Sequence, residues 1–346
     1  MHRRRTLAVL AAASAATLAA PAVIRPTLAA DDSADGVSGN PLQGSIGGDL
    51  GAALRRYLAL PGTKSYLIHA GPGGSLGRLA YRPNLFLFTA SAYKTFVLGQ
   101  YLRDVEAGRL AEDAPVTIDD SVRNIASPVF MALAGIAEAD VVLEAMITHS
   151  DNIATDIATG QVGADRVRAL IAQAGLTSIR IPDSTRLFTS YILGAPPGVD
   201  LGWPGIRDAV TNPPGPIRPP LNDVITLAGS ARDFVSWYEQ ALAGAFFTKP
   251  ETLREFKRIQ AMSVQIPLAV PPDTPAYAKG GELPFLGSNS KSFAGQMVVS
   301  SGGGQTPVTF CFAVNWNGPS SDFDAVEAAF FAAIKGVLTV IKQALQ

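Results

Sequence analysis

The alternation of apolar and polar positions divides the chain into strand-rich ends and a helix-rich middle. Leu50, Leu54, Tyr57 and Leu58 fall on one face at helical spacing. Two short apolar runs follow, 65–70 and 76–81, joined through Gly71-Pro-Gly-Gly-Ser-Leu-Gly77, which reads as a β-hairpin. From about Ser91 to Gly175 the period becomes helical. Val167, Leu170, Ile171 and Ala174 repeat at i, i+3, i+4 and i+7, with Gly175 suited to a C-terminal cap. Residues 182–220 hold nine prolines and read as a long irregular loop. A helix is predicted near 232–242, and strand-like runs at 276–279, 293–300 and 308–315. A final helix begins at about Asp322, with Phe330, Ile334, Leu338, Ile341 and Leu345 on one side.

Strands at both ends can join into one antiparallel sheet, with the first and last helices on a face. The expected class is therefore α+β: an antiparallel sheet flanked by N- and C-terminal helices, with an inserted all-helical domain. The boundaries read as 48–88 plus 262–346 for the α/β subdomain and 89–261 for the helical one. Residues 31–47, rich in Gly, Ser, Asp and Asn, read as a linker. Residues 1–30 carry Arg3-Arg4-Arg5, a short Ala-rich apolar stretch and a small-residue end, the parts of an export signal. The paired arginines point to the twin-arginine route, hence a periplasmic or secreted protein. The apolar stretch is short and broken at Pro21, so no stable membrane anchor is expected.

Charge narrows the partners. Removing residues 1–30 deletes four arginines and no acid, leaving 24 basic against 29 acidic residues. Without a basic excess, nucleic acid is not an expected partner. The single cysteine, Cys311, lies in the apolar run 308–314 and reads as a core residue, unable to form an internal disulfide.

Three short motifs carry the chemistry, in chain order: Ser91-Ala-Tyr-Lys94, Ser150-Asp-Asn152 and Lys279-Gly-Gly281. Ser91 starts a helical run, so Lys94 lies one turn on, on the same face. A serine hydroxyl needs a neighbour to take its proton, and an amine does so once burial or nearby cations lower its pKa. Ser150 offers a hydroxyl to relay a proton to a leaving nitrogen, and Asn152 an amide to position the substrate. Lys279 is a second cation, suited to a substrate carboxylate. The N–H groups of Ser91 and Glu282 are the expected oxyanion donors. Single motifs are weak: S-x-x-K recurs at Ser288-Asn-Ser-Lys291, read as a polar loop without function. Order and context give the set its weight.

The segment Met146-Ile-Thr-His-Ser-Asp-Asn-Ile-Ala-Thr-Asp156 resembles the S-D-N region of class A β-lactamases. Phe88-Thr-Ala-Ser-Ala-Tyr-Lys94 is similar to their nucleophile segment, and Ser230-Ala-Arg-Asp-Phe234 to the start of one of their helices. The resemblance implies a β-lactamase/transpeptidase-like fold, a monomer, no metal or organic cofactor, and a β-lactam or acyl-peptide substrate. It implies acylation of Ser91, then hydrolysis of the acyl-enzyme, with Lys94, Ser150, Asn152 and Lys279 in the family's roles. Two departures stand out. Gly280 replaces the threonine of K-T-G, removing a hydroxyl that helps bind a substrate carboxylate. The loop glutamate that activates the deacylating water is also missing, because no glutamate occurs between Glu144 and Glu239. Asp183, in Ile181-Pro-Asp-Ser-Thr-Arg-Leu187, is the candidate substitute, or else a turn residue. A D-Ala-D-Ala carboxypeptidase, an esterase and a non-catalytic penicillin-binding relative are the alternatives on this fold. A different fold is weakly signalled by Gly73-Gly-Ser-Leu-Gly77, a G-x-S-x-G that links two strands rather than a strand and a helix.

Overall fold

The computed structural model describes residues 48–346; the export and linker assignments fall outside the described residues. In chain order the helices are α1 (Asp49–Leu58), α2 (Lys94–Glu106), α3 (Ala139–Thr148), α4 (Asn152–Val162), α5 (Ala164–Gln173) and α6 (Thr185–Ile192). They continue as α7 (Gly202–Ala209), α8 (Ala231–Leu242), α9 (Pro250–Ala261), α10 (Ile266–Ala269) and α11 (Phe323–Leu345). The strands are β1 (Thr63–Ala70), β2 (Gly77–Tyr81), β3 (Leu87–Phe88), β4 (Pro115–Ile118), β5 (Gly135–Glu138), β6 (Ala228–Gly229), β7 (Ala276–Phe285), β8 (Ser288–Ser301) and β9 (Gly304–Asn317).

Five strands form one antiparallel sheet in the order β2-β1-β9-β8-β7, so the two ends of the chain meet at the β1–β9 pair. The side-chain period of two then decides which face each residue serves. On β9, Val308, Phe310, Phe312 and Val314 enter a core shared with Tyr57 of α1 and with Phe330, Ile334, Leu338 and Ile341 of α11. Cys311, between them, faces the opposite core with Phe96, Trp237 and the other helical residues. The sheet thus separates two apolar layers, as the terminal helices predicted. On β7, Ala276 and Ala278 face the layer of α1 and α11, so Gly280 and Glu282 share that side and Lys279 and Gly281 point the other way.

Two expectations need correction. The proline-rich stretch is not one irregular loop, because it contains α6 and α7. Ser184 caps α6, its hydroxyl accepting from Leu187 N at 3.0 Å, and Pro204 sits in the first turn of α7, where its missing N–H costs no helical bond. Likewise Ser288-Asn-Ser-Lys291 is no loop: it opens β8, and Lys291 is fully buried between Glu282 and Glu327, with its ammonium 4.8 Å from the Phe331 ring centre.

The turn that carries Ser91 rests on the sheet. Asn315 of β9 clasps Phe88 as a strand would, accepting from its N at 2.9 Å and donating to its O at 2.8 Å. One residue on, Ser292 of β8 donates to Thr89 O at 2.7 Å. The layer under α11 should hold a large share of the stability. Phe330, fully buried and 5.4 Å from the Phe331 ring, is expected to cost about 3–5 kcal/mol when changed to Ala. A shift in urea midpoint measures this, and an unchanged midpoint would contradict the packing.

Candidate active site

Local backbone geometry presents Ser91. Ala90 takes a left-handed φ of +47°, reversing the chain after β3. A single 3-10 turn, Ala90–Tyr93, then leads into α2. A non-glycine residue in this region is strained and persists only where its surroundings impose it; here Thr89 is bonded to Leu227 O at 2.8 Å and to Ser292. Ser91 remains partly exposed, whereas Lys94, three residues on, is fully buried.

The Lys94 amine ends against the second motif. It donates to Ser150 O at 2.7 Å and Asn152 Oδ1 at 2.8 Å, with Ser150 Oγ at 3.3 Å. Burial drives its pKa down to about 7, with only partial opposition from Asp151, Asp156 and Glu282. A free amine is therefore well populated at neutral pH, and the Ser150 hydroxyl is placed either to accept from the ammonium or to donate to the amine.

Ser150 and its neighbours are held by their own backbone. Ser150 has φ +58°, between the end of α3 and the start of α4. Asp151 caps α4 by accepting from Ala154 N at 2.9 Å. Its other oxygen takes Val129 N at 2.9 Å and Phe130 N at 3.0 Å, drawing the 127–130 loop in. The Asn152 amide nitrogen donates to Ile125 O at 3.0 Å, which fixes its oxygen toward Lys94.

Lys279 is buried on the face of β7 that Gly281 shares, and its ammonium donates to Gly280 O at 2.6 Å. Burial first, and the Lys94 charge second, push its pKa well below the ordinary lysine value. Gly281 lies against the Ser91 turn: a Cβ there would sit 2.1 Å from Thr89 O and 2.6 Å from Ser91 N. This contact brings the third motif to the first, and the N–H of Glu282 follows directly after it.

Asp183 stands apart from this cluster. Its carboxylate is exposed and pairs with Arg168. It lines a cleft of about 510 Å³ with Arg180, Leu187 and Asp223, and none of Ser91, Lys94 or Ser150 lines that cleft. The carboxylate nearer the cluster is Asp156, one helical turn beyond Asn152. It accepts from Thr185 N at 2.6 Å, Thr185 Oγ1 at 2.7 Å and Arg186 N at 3.1 Å. Burial raises its pKa to about 6, the Thr185 and Arg186 donors and Lys94 offsetting part of the effect. The i, i+4 spacing from Asn152 was a visible signal for Asp156; its partner Thr185, distant in sequence, was not. Among the described residues no group of three or more His, Cys, Asp or Glu could hold a metal ion.

A family model described as "Beta-lactamase enzyme family" matches residues 62–290. The chain belongs to that family. A β-lactamase from Chitinophaga pinensis shares the fold at TM-score 0.66 and 15% identity, over 86% of this chain and 99% of that one. A β-lactamase from Xanthomonas campestris pv. campestris does so at TM-score 0.64 and 16% identity, over 86% and 99%. PBP-A aligns at TM-score 0.61 and 17% identity, over 85% of this chain and 96% of that one. Among curated proteins none matches the chain. The expected α+β architecture and the resemblance drawn from the motifs both hold.

Two outcomes follow from this packing. Gly281→Ala should displace the Ser91 turn and lower any reactivity of Ser91 at least about 10²-fold, as small misplacements of reacting groups do; unchanged labelling by a serine-directed acylating probe would contradict the contact. Asp156→Ala should release the start of α6, so that the Thr185 and Arg186 amides exchange with deuterium faster than in the parent. Equal exchange would contradict the tether.

Proposed function

We propose that this β-lactamase-family serine hydrolase acts after export, opening β-lactam rings through an acyl-enzyme on Ser91. The observation that carries the reading is the buried Lys94 amine, held against Ser150 and Asn152 one turn from a partly exposed serine. The Ser91 hydroxyl oxygen adds to the lactam carbonyl as its proton passes to the Lys94 amine. The Ser91 and Glu282 N–H groups receive the charge that develops on the carbonyl oxygen. The carbonyl–nitrogen bond then breaks, and the leaving nitrogen takes a proton through the Ser150 hydroxyl, which Lys94 resupplies. Water hydrolyses the ester and restores Ser91. Lys279 and Asn152 orient the substrate.

A specific observation supports a second reading, that of a penicillin-binding peptidase with slow deacylation. No glutamate lies between Glu144 and Glu239, and Asp183 is bound to Arg168. Asp156 already accepts from Thr185 and Arg186. Neither Asp183 nor Asp156 offers an unengaged carboxylate for the deacylating water. One of the structural neighbours is a mutant of PBP-A captured as an acyl-enzyme complex with penicillin G.

Intact-mass analysis during incubation with a penicillin separates the readings. An adduct confined to Ser91 and absent from Ser91→Ala supports acylation, and full labelling of Ser91→Ala overturns it. A persistent adduct favours the peptidase reading, a transient one with antibiotic consumed the β-lactamase reading. Lys94→Met should slow acylation about 10²–10⁴-fold. The amine must be neutral to accept a proton, so the acylation rate should fall as pH drops below about 7, where Lys94 protonates. A rate independent of pH from 5 to 8 would remove Lys94 from the step.

A further inference from the structure

Gly280 leaves a notch on the free edge of the sheet, since β7 is the last strand. That notch is filled by another part of the chain. A Cβ on Gly280 would lie 1.7 Å from Gln265 Oε1 and 2.8 Å from Gln265 Cδ, so the Gln265 carboxamide occupies the volume of the missing side chain. Gln265 precedes α10 and is fixed beside the second motif, because Val264 N donates to Thr148 O at 3.3 Å. Its amide nitrogen donates to Glu282 Oε2 at 3.3 Å. Turning the amide over would set its oxygen against that carboxylate, so Glu282 fixes which end points where. The oxygen is left shielded from solvent, with no hydrogen-bond partner. A buried acceptor without a donor is unfavourable and is satisfied by any donor that reaches it.

Glu282 is itself held in place, because the buried Lys291 pairs with both Glu282 and Glu327. A threonine at Gly280 would place a hydroxyl in the space that the carboxamide now fills, able to donate to a substrate carboxylate. The carboxamide oxygen in that space only accepts.

We infer that Gln265 is a specificity-determining residue, which makes the subsite beside Lys279 and Gly280 favour a substrate group that donates a hydrogen bond over a carboxylate. The inference rests on the proposed acylation of Ser91. An amide N–H or an alcohol fits the orphaned oxygen. A carboxylate meets it lone pair to lone pair and keeps only Lys279 as a partner.

The test compares acylation of Ser91 by penicillin G and by its C3 carboxamide, in the parent, Gln265→Ala and the Gln265→Ala/Gly280→Thr double variant, by intact mass. The carboxylate-to-carboxamide ratio of rate constants should rise about tenfold or more from the parent to the double variant, the scale on which unpaired polar groups discriminate. An unchanged ratio would overturn the inference while leaving Ser91 acylation standing. Acylation of the parent by neither compound would overturn the functional reading and the inference together. Melting temperatures check the geometry separately: Gly280→Thr alone should be destabilised and Gln265→Ala should restore it. Equal stability of the Gly280→Thr and double variants would show that the carboxamide does not fill the notch.

Discussion

The burial of one ammonium organises this molecule. Lys94 has no exposed surface, and an unpaired buried charge is among the most unfavourable things a fold can contain. The protein answers with Ser150 O and Asn152 Oδ1 at hydrogen-bond distance, supplied by the junction of α3 and α4. That answer is incomplete, and the amine's pKa settles at about 7. A fuller set of acceptors or an adjacent carboxylate would hold it charged; none would leave it a permanent free base. The intermediate state suits a group that must take a proton and return it.

Placing acceptors there imposes strain elsewhere. Ser150 adopts a left-handed backbone so that its carbonyl and hydroxyl both reach Lys94, and Ala90 does the same to set Ser91 ahead of α2. Such residues are held in place by their surroundings. Asp151 clamps the first, through Ala154, Val129 and Phe130. Ser292 and the close approach of Gly281 clamp the second to the sheet. The two apolar layers on either side of the sheet make it rigid enough to serve as that support.

What could be read along the chain was what depends on short spacing. Ser91 and Lys94 share a face because they are three apart, and the order of the three short motifs marked the site. The outer strands and terminal helices were visible because their apolar periods continue for two turns or more. Contacts between segments distant in sequence left no such mark. Thr185 capped by Asp156, and Gln265 in the space beside Gly280, depend on tertiary placement. The proline-rich stretch misled for the opposite reason: its composition reads as loop, yet Pro204 sits in the first turn of α7 and the other prolines lie outside both helices, where they do no harm. Lys291 misled because its polarity suggests a surface, while two glutamates make its burial tolerable.

The central claim concerns the charge on Lys94, and it can be measured without any substrate. The lysines would be labelled with carbon-13 at Cε and followed by NMR across pH, with Lys94→Met assigning the resonance. The account predicts a titration near 7, far below that of an exposed lysine. A Lys94 resonance titrating near 10.5 would mean that the amine is an ordinary ammonium at neutral pH, and would contradict its place at the centre of the site.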